Sequence, residues 1–152
     1  SGKDLSYTNP RTGEKYIPHI VETSGGVDRT FLMLLFDAYE EEELGNGNRR
    51  TVLKIHKDIA AYRAAIFPLV SNKEEVVDKA REVFNLLSSD TKVVWDARGN
   101  IGKRYRYQDE IGTPYCITID YDTLKDNTVT VRDRDTMEQK RVKIEDLKDS
   151  LS

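Results

Sequence analysis

Cysteine is almost absent from this sequence. Cys116 is the single one, so no disulfide can form within the chain, and no cysteine and histidine cluster has the spacing of a metal site. No apolar run approaches the roughly 18 residues that span a membrane, and no signal peptide is visible. We therefore expect a cytoplasmic protein with no metal of its own and no membrane contact.

Neither sign of charge dominates, since 24 lysines and arginines stand against 27 acidic residues. The distribution is uneven: the net charge is −5 over residues 1–48 and +2 over each of the ranges 49–91 and 92–144. A local basic face is therefore compatible with the sequence. Binding of such a face to nucleic acid is expected to be moderate and sensitive to salt.

The first third of the chain reads as a hairpin followed by an apolar helix. Strands are expected from Leu5 to Thr8 and from Lys15 to Glu22, and a helix capped by Asp28 from Arg29 to Glu43. The first turns of this helix have almost no polar side, which predicts burial against a partner outside this chain. The opening Ser-Gly is typical of a cleaved tag, so we expect an expressed fragment.

The remaining sequence alternates strand and helix patterns in the order βαβαβββα. This order predicts an α/β fold, in which a mixed five-stranded sheet is flanked by helices on both faces. The expected strands cover residues 64–70, 92–96, 115–120, 128–134 and 139–144. The expected helices are one opened by a capping box at 71–74 and running to 87, one at 101–111 between Asn100 and Gly112, and a short one from 145.

The helix at 101–111 carries its charges in an unfavourable order. Lys103, Arg104 and Arg106 lie toward its N-terminus, and its acidic residues Asp109 and Glu110 toward its C-terminus. The helix macrodipole disfavours this order by about 0.3–1 kcal/mol per charge. With Tyr105 and Tyr107 beside them, these cations suit a phosphate backbone with stackable bases. The alternative is an ordinary solvated helix face.

A second basic group is expected on the last two strands. Period-2 alternation puts Arg132 and Arg134 of one strand on the same face as Arg141 and Lys143 of the next. Arginine suits two-point contacts with phosphates or base edges. Gln139, Asp133 and Asp135 could bond base edges as well. The alternative is a charged outer strand that discourages aggregation.

Three stretches together resemble the dimeric type of glycyl-tRNA synthetase, a class II family. ETSGGVDR at 22–29 is similar to motif 3 of its catalytic domain. GNIGKRYRYQDEIGTPYCITID at 99–120 and TVTVRDRDTMEQKRV at 128–142 are similar to its C-terminal anticodon-binding domain. The resemblance implies a catalytic-domain remnant at 1–48, a linker at 49–62 and a class IIa anticodon-binding domain at 63–152.

The resemblance also implies roles for individual residues. Glu22, Ser24 and Gly26 would line a glycine pocket, and Gly26, Val27, Asp28 and Arg29 would face ATP. A carboxylate suits the ammonium of glycine, and an arginine can hold a phosphate. Without the resemblance, this stretch would read as a strand-to-helix turn capped by Asp28. The residues implied to bind tRNA are Lys103, Arg104, Arg106, Arg132, Arg134, Gln139, Arg141 and Lys143.

Motifs 1 and 2 of the family are absent, so we expect no catalytic residue and no turnover from this chain alone. The resemblance implies that the full enzyme is a homodimer that uses ATP and magnesium to attach glycine to glycine tRNA, whose anticodon cytosines this domain reads. The alternative is an accessory or dimerisation module with the same fold and no catalytic role. The intact ETSGGVDR disfavours that alternative.

Overall fold

The chain begins with a short hairpin of two antiparallel strands, β1 (Tyr7–Thr8) and β2 (Lys15–Tyr16). The computed structural model describes residues 2–45 and 47–151. Both strands are shorter than predicted, and residues 17–26 have no regular structure. The chain divides into two compact units, residues 1–31 and 32–152, and the division falls within helix α1 (Val27–Ala38). The division at 48 and 62 stays a prediction.

Helix α1 ends five residues earlier than predicted. The four glutamates after Ala38 belong to strand β3 (Tyr39–Glu43), which pairs antiparallel with β4 (Arg49–Leu53). Adjacent carboxylates repel one another and are unfavourable at a helix C-terminus. In the hairpin they face cations instead: Glu42 pairs with Arg50 at 2.7 Å and with Lys54 at 2.9 Å. The predicted helix at 39–43 was therefore wrong, and the first residues of the predicted linker form a strand.

A mixed five-stranded sheet forms the centre of the second unit, as predicted. The strand order is β6-β5-β7-β8-β9; β6, β5 and β7 are parallel, and β8 and β9 are antiparallel to their neighbours. The strands are β5 (Ala64–Pro68), β6 (Val93–Trp95), β7 (Tyr115–Ile119), β8 (Thr128–Asp133) and β9 (Gln139–Lys143).

Helix α2 (Glu74–Ser88) covers one face of this sheet. Its apolar stripe, Val76, Ala80, Val83 and Leu87, is buried against the apolar side chains of β5, β7 and β8. Its predicted capping box is wrong: the N-cap is Lys73, whose side chain makes no capping bond. A 3₁₀ turn (Ile144–Asp146) and helix α5 (Leu147–Ser150) follow β9, and Leu147 and Leu151 join the same core.

Helix α3 (Ile101–Ile111) lies on the opposite face. It packs Ile101 and Tyr105 on a second core made of Ala65, Phe67 and Cys116. Both predicted caps are confirmed. The Asn100 side chain accepts a bond from the backbone N–H of Lys103, and Gly112 is left-handed with φ +80°.

A one-turn helix, α4 (Thr123–Asp126), connects β7 to β8. It ends at Asn127 in the left-handed conformation and leads directly into β8. Over the described residues, no helix is both long and apolar enough to cross a membrane.

Candidate nucleic-acid interface

The face of the sheet that carries α3 continues past this helix onto β8 and β9. Strand register places Thr118, Thr130 and Arg141 opposite one another in a row across β7, β8 and β9. Neighbouring strands lie about 4.8 Å apart, so this row spans roughly 10 Å. Thr130 is half-buried and Arg141 half-exposed, whereas the same face under α3 is buried. Thr118 is buried, so we call the part of this face beyond it, with Thr130 and the exposed side chains of β9, the open face.

Tyr105 of α3 borders the open face. Its hydroxyl lies 2.6 Å from Thr118 Oγ1, and its ring packs edge-on against Phe67 with the centroids 5.6 Å apart. The guanidinium of Arg132 lies over the ring, 5.1 Å from its centroid. Burial raises the pKa of the Tyr105 phenol, so it stays protonated at neutral pH. The contacts with Thr118, Phe67 and Arg132 fix the ring in one position.

Arg132 is on the predicted side of β8 but is buried there. Its two terminal nitrogens bond the carboxylate of Asp109 at 2.8 and 3.1 Å, and Arg50 of β4 approaches the same carboxylate at 3.2 Å. Only 6% of Arg132 is exposed. The guanidinium thus holds α3 to β8, and the prediction that it is presented to a ligand was wrong.

Arg134 is buried for a different reason. Its Nη1 donates to three backbone carbonyls, those of Gly112 at 2.8 Å, Ile55 at 2.9 Å and Leu53 at 3.1 Å. Its other nitrogens bond Asp135, and this bond holds the pKa of that carboxyl below its usual value. Arg134 ties β4 to the turn between α3 and β7. The prediction that it faces a ligand was wrong as well.

Arg104 explains part of the unfavourable charge order in α3. It is 3% exposed, and burial lowers the pKa of its guanidinium. Its N–H groups bond backbone carbonyls in the segment before the helix and at the end of β5, namely those of Pro68, Ala97, Arg98 and Gly99. Arg104 therefore holds the loop at 97–99 against the end of β5. The prediction of an exposed phosphate contact there was wrong.

The other predicted tRNA-binding residues are accessible. Lys103 and Arg106 are exposed on α3, and Gln139 and Lys143 are exposed on β9, on either side of Arg141. Lys143 pairs with Glu145 at 3.2 Å. The role of these side chains in RNA binding stays a prediction. The structure brings Gln139, Arg141 and Lys143 together on one face.

Arg141 lies at the end of the row and is held by acceptors from three elements. Its Nε donates to Thr128 Oγ1 at 2.9 Å. Nη1 donates to Asp120 at 2.6 Å and Thr130 Oγ1 at 3.2 Å, and Nη2 to the Thr128 carbonyl at 3.2 Å and Asp126 at 3.5 Å. Burial opposes ionisation of Asp120, but the backbone N–H of Thr123 and Arg141 outweigh it and hold the Asp120 pKa below its usual value.

Sequence reasoning missed several residues of this site. Asp109 and Arg50 were not assigned to it, because nothing local indicates that residues 59 positions apart share an ion pair. Thr118 and Thr130, by contrast, could have been found from the sequence. They are the polar members of strands whose alternate positions are apolar, and this pattern marks the side away from the main core.

The residues of ETSGGVDR lie in the first unit. The predicted ligand contacts Glu22, Ser24, Gly26 and Arg29 are all exposed. A Cβ added at Gly25 would meet open space, and at Gly26 it would meet the aliphatic stem of Arg29 at 3.8 Å. A small substrate could therefore approach the backbone here. The roles in glycine and ATP binding stay predictions.

Comparison with known proteins agrees with this architecture. Over 147 residues the chain is 56% identical to a glycine–tRNA ligase of Clostridium tetani, a match that covers 97% of this chain and 31% of that protein. Glycine–tRNA ligases of Clostridium kluyveri and Borreliella burgdorferi are 56% and 53% identical over 99% and 95% of this chain. The chain spans about a third of the length of these curated relatives.

The match to a protein family coincides with the five-stranded sheet and its helices. Residues 63–152 match the anticodon binding domain. They contain every strand from β5 to β9 and the whole open face. The chain therefore belongs to the anticodon-binding domain family.

Proposed function

We propose that this chain is the tRNA-binding part of a glycine–tRNA ligase, and that it holds the anticodon region of glycine tRNA on the open face. The observation that carries the proposal is the match of residues 63–152 to the anticodon binding domain. Similarity to glycine–tRNA ligases over nearly the whole chain supports the choice of amino acid. In the full-length homodimer, located in the cytoplasm, glycine would be attached to the bound tRNA.

The geometry suits an unpaired RNA loop. Proteins read RNA sequence mostly in single-stranded loops, through base edges and stacking, while phosphate contacts supply orientation. The open face offers half-buried Thr130 and exposed Lys143, with a fixed tyrosine ring at its border, and Lys103 and Arg106 are exposed on α3. These three cations are the candidates for phosphate contacts, and Gln139 is a candidate for a base edge.

The ATP and glycine sites would be completed by the parts of the relatives that lie outside this chain. ATP, with magnesium, would supply the free energy for joining glycine to tRNA. The donor set here fits such ligands, since Glu22 could bind an ammonium group and Arg29 a phosphate.

Titration of the chain with a fluorescent anticodon stem-loop of glycine tRNA tests the proposal. A second loop with the anticodon cytosines replaced serves as the control, and both are measured at two salt concentrations. We expect tighter binding to the first loop and weaker binding of both at higher salt. Equal or absent binding would contradict base recognition by this chain and would favour an accessory or dimerisation module.

The double change Lys103→Ala and Arg106→Ala tests the phosphate contacts. Loss of two such contacts should weaken binding of both loops to a similar extent and reduce the salt slope by about 2. Lys140→Ala on the core side of β9 is the matched control, because it also removes an exposed cation. An unchanged salt slope in the double variant would show that α3 does not contact phosphates.

A further inference from the structure

Arg141 has no hydrogen-bond donor left to offer a ligand. A guanidinium carries five N–H groups. The structure gives five acceptor contacts: two from Thr128, and one each from Thr130, Asp120 and Asp126. These acceptors lie around the edge of the guanidinium plane. The arginine can therefore not make the two-point contact with a phosphate or a base edge that its residue type suggested.

The flat faces of the guanidinium are the part of Arg141 that remains for contact with a ligand. The Arg141 side chain is 37% exposed although its N–H edge is occupied, and it stands in the open row beside half-buried Thr130. Guanidinium planes are surfaces on which RNA bases stack. Because contacts from the end of β7, α4 and β8 already fix the plane, little side-chain entropy would be lost when a base is bound.

The local charge favours a base over a phosphate. Two carboxylates, Asp120 and Asp126, lie within 3.5 Å of this single cation. Hydrogen bonding from the backbone N–H of Thr128 and from its hydroxyl lowers the pKa of Asp126, so this carboxylate is ionised at neutral pH. An approaching phosphate would meet a net negative group, whereas a neutral base would not.

We infer that Arg141 is a stacking platform for one unpaired RNA base, which it contacts through the flat face of its guanidinium. This inference rests on the proposed function and specifies how one residue of the open face contacts RNA. Asp120, Thr128 and Thr130 are then positioning residues, since they act through Arg141. Lys143, two residues along the same face, is the neighbour suited to the adjoining phosphate.

Three substitutions in the whole chain test this inference with the glycine-tRNA anticodon stem-loop. Arg141→Lys keeps the charge and loses the plane, Arg141→Ala loses both, and Arg141→Tyr keeps a plane without charge. Stacking on a side chain is worth roughly 5- to 150-fold in affinity. We expect a loss of this size for lysine and alanine, a loss of only a few fold for tyrosine, and the same salt slope in all variants.

A set of stem-loops in which one loop base at a time is removed supplies the decisive control. At one loop position, removal of the base should abolish the difference between the unchanged chain and Arg141→Ala. Lys140→Ala should bind every RNA as the unchanged chain does. Circular dichroism verifies folding, and the conservative Arg141→Lys decides the question if the alanine variant does not fold.

Other results would overturn the inference. Wild-type affinity in Arg141→Lys, or a salt slope reduced by about 1 in Arg141→Ala, would show a charge contact with phosphate. If the unchanged chain binds the cognate loop and every Arg141 variant binds equally well, the platform alone is wrong. If the unchanged chain binds no stem-loop, the proposed function fails and the platform with it.

Discussion

Asp109 balances two buried arginines, one from the β3–β4 hairpin and one from the sheet. Its side chain is 3% exposed, and those of Arg50 and Arg132 are 2% and 7% exposed. Asp109→Asn would leave Arg132 facing a neutral amide, whereas Arg50 would keep Glu42 as an acidic partner. Removal of one partner of a buried ion pair costs about 3–5 kcal/mol. We expect a loss of this size in the free energy of unfolding, measured by urea denaturation.

Glu110→Gln is the matched control for this residue. Glu110 follows Asp109 on the same helix and is exposed, so its change is expected to alter stability by less than about 0.5 kcal/mol. Equal stability of the two variants would mean that water reaches Asp109 and that Arg50 and Arg132 do not depend on its negative charge. The burial of these arginines was not predictable, because alternation gives the side of a strand but not what covers that side.

At the scale of elements, the turn between α3 and β7 depends on a glycine in close contact with the hairpin. Gly112 has φ +80°, and a Cβ there would lie 2.9 Å from the carbonyl oxygen of Leu53. Gly112→Ala therefore combines backbone strain of about 1–2 kcal/mol with a backbone clash. We expect the free energy of unfolding to fall by more than the strain alone, and thermal unfolding followed by circular dichroism measures it.

Gly99→Ala separates the two contributions. Gly99 also has a positive φ, +61°, but a Cβ there would meet open space. The second variant should lose only about 1–2 kcal/mol from strain. If the Gly112 variant were no less stable than the Gly99 variant, the hairpin would have room to move away from the turn.

The hairpin itself shows where local sequence reasoning reaches its limit. Glu40–Glu43 follow an apolar helix pattern without a break, so continuation of the helix was the natural reading. The strand is specified by Arg49, Arg50 and Lys54, cations that lie beyond the next loop and pair with the glutamates. By contrast, α3 was predicted with the correct bounds, because Asn100 and Gly112 mark both of its ends locally.

At the scale of the whole molecule, acid should destabilise the fold. A bond from Lys54 lowers the pKa of Glu42, a bond from Arg134 lowers that of Asp135, and bonds from Thr128 lower that of Asp126. Each folded pKa lies below its ordinary value of 4.5 or 3.8. These carboxylates therefore stabilise the fold above the ordinary values, and the contribution is lost as pH falls through the folded ones.

We expect the urea midpoint to change little between pH 7 and 5 and to fall between about pH 4 and 2. Asp135→Asn should reduce the size of this fall, because Arg134 then has no titrating partner. Equal urea midpoints at pH 5 and pH 3 would contradict the expected linkage.

The order of strands and helices in the second unit was predictable from the sequence. Each of its apolar segments shows the spacing of apolar residues that is typical of either a strand or a helix.

The ion pair between Arg50 and Asp109 joins residues 59 positions apart, and the bond from Arg134 to Leu53 joins residues 81 apart. During synthesis at about 5–20 residues per second, the hairpin is therefore made roughly 3–12 s before Asp109 exists. Glu42, only eight residues from Arg50, is available from the start. The acidic strand thus supplies a counter-ion to Arg50 on the nascent chain, which Arg50 keeps in the folded protein, and the hairpin can form before the sheet against which Arg50 is later buried.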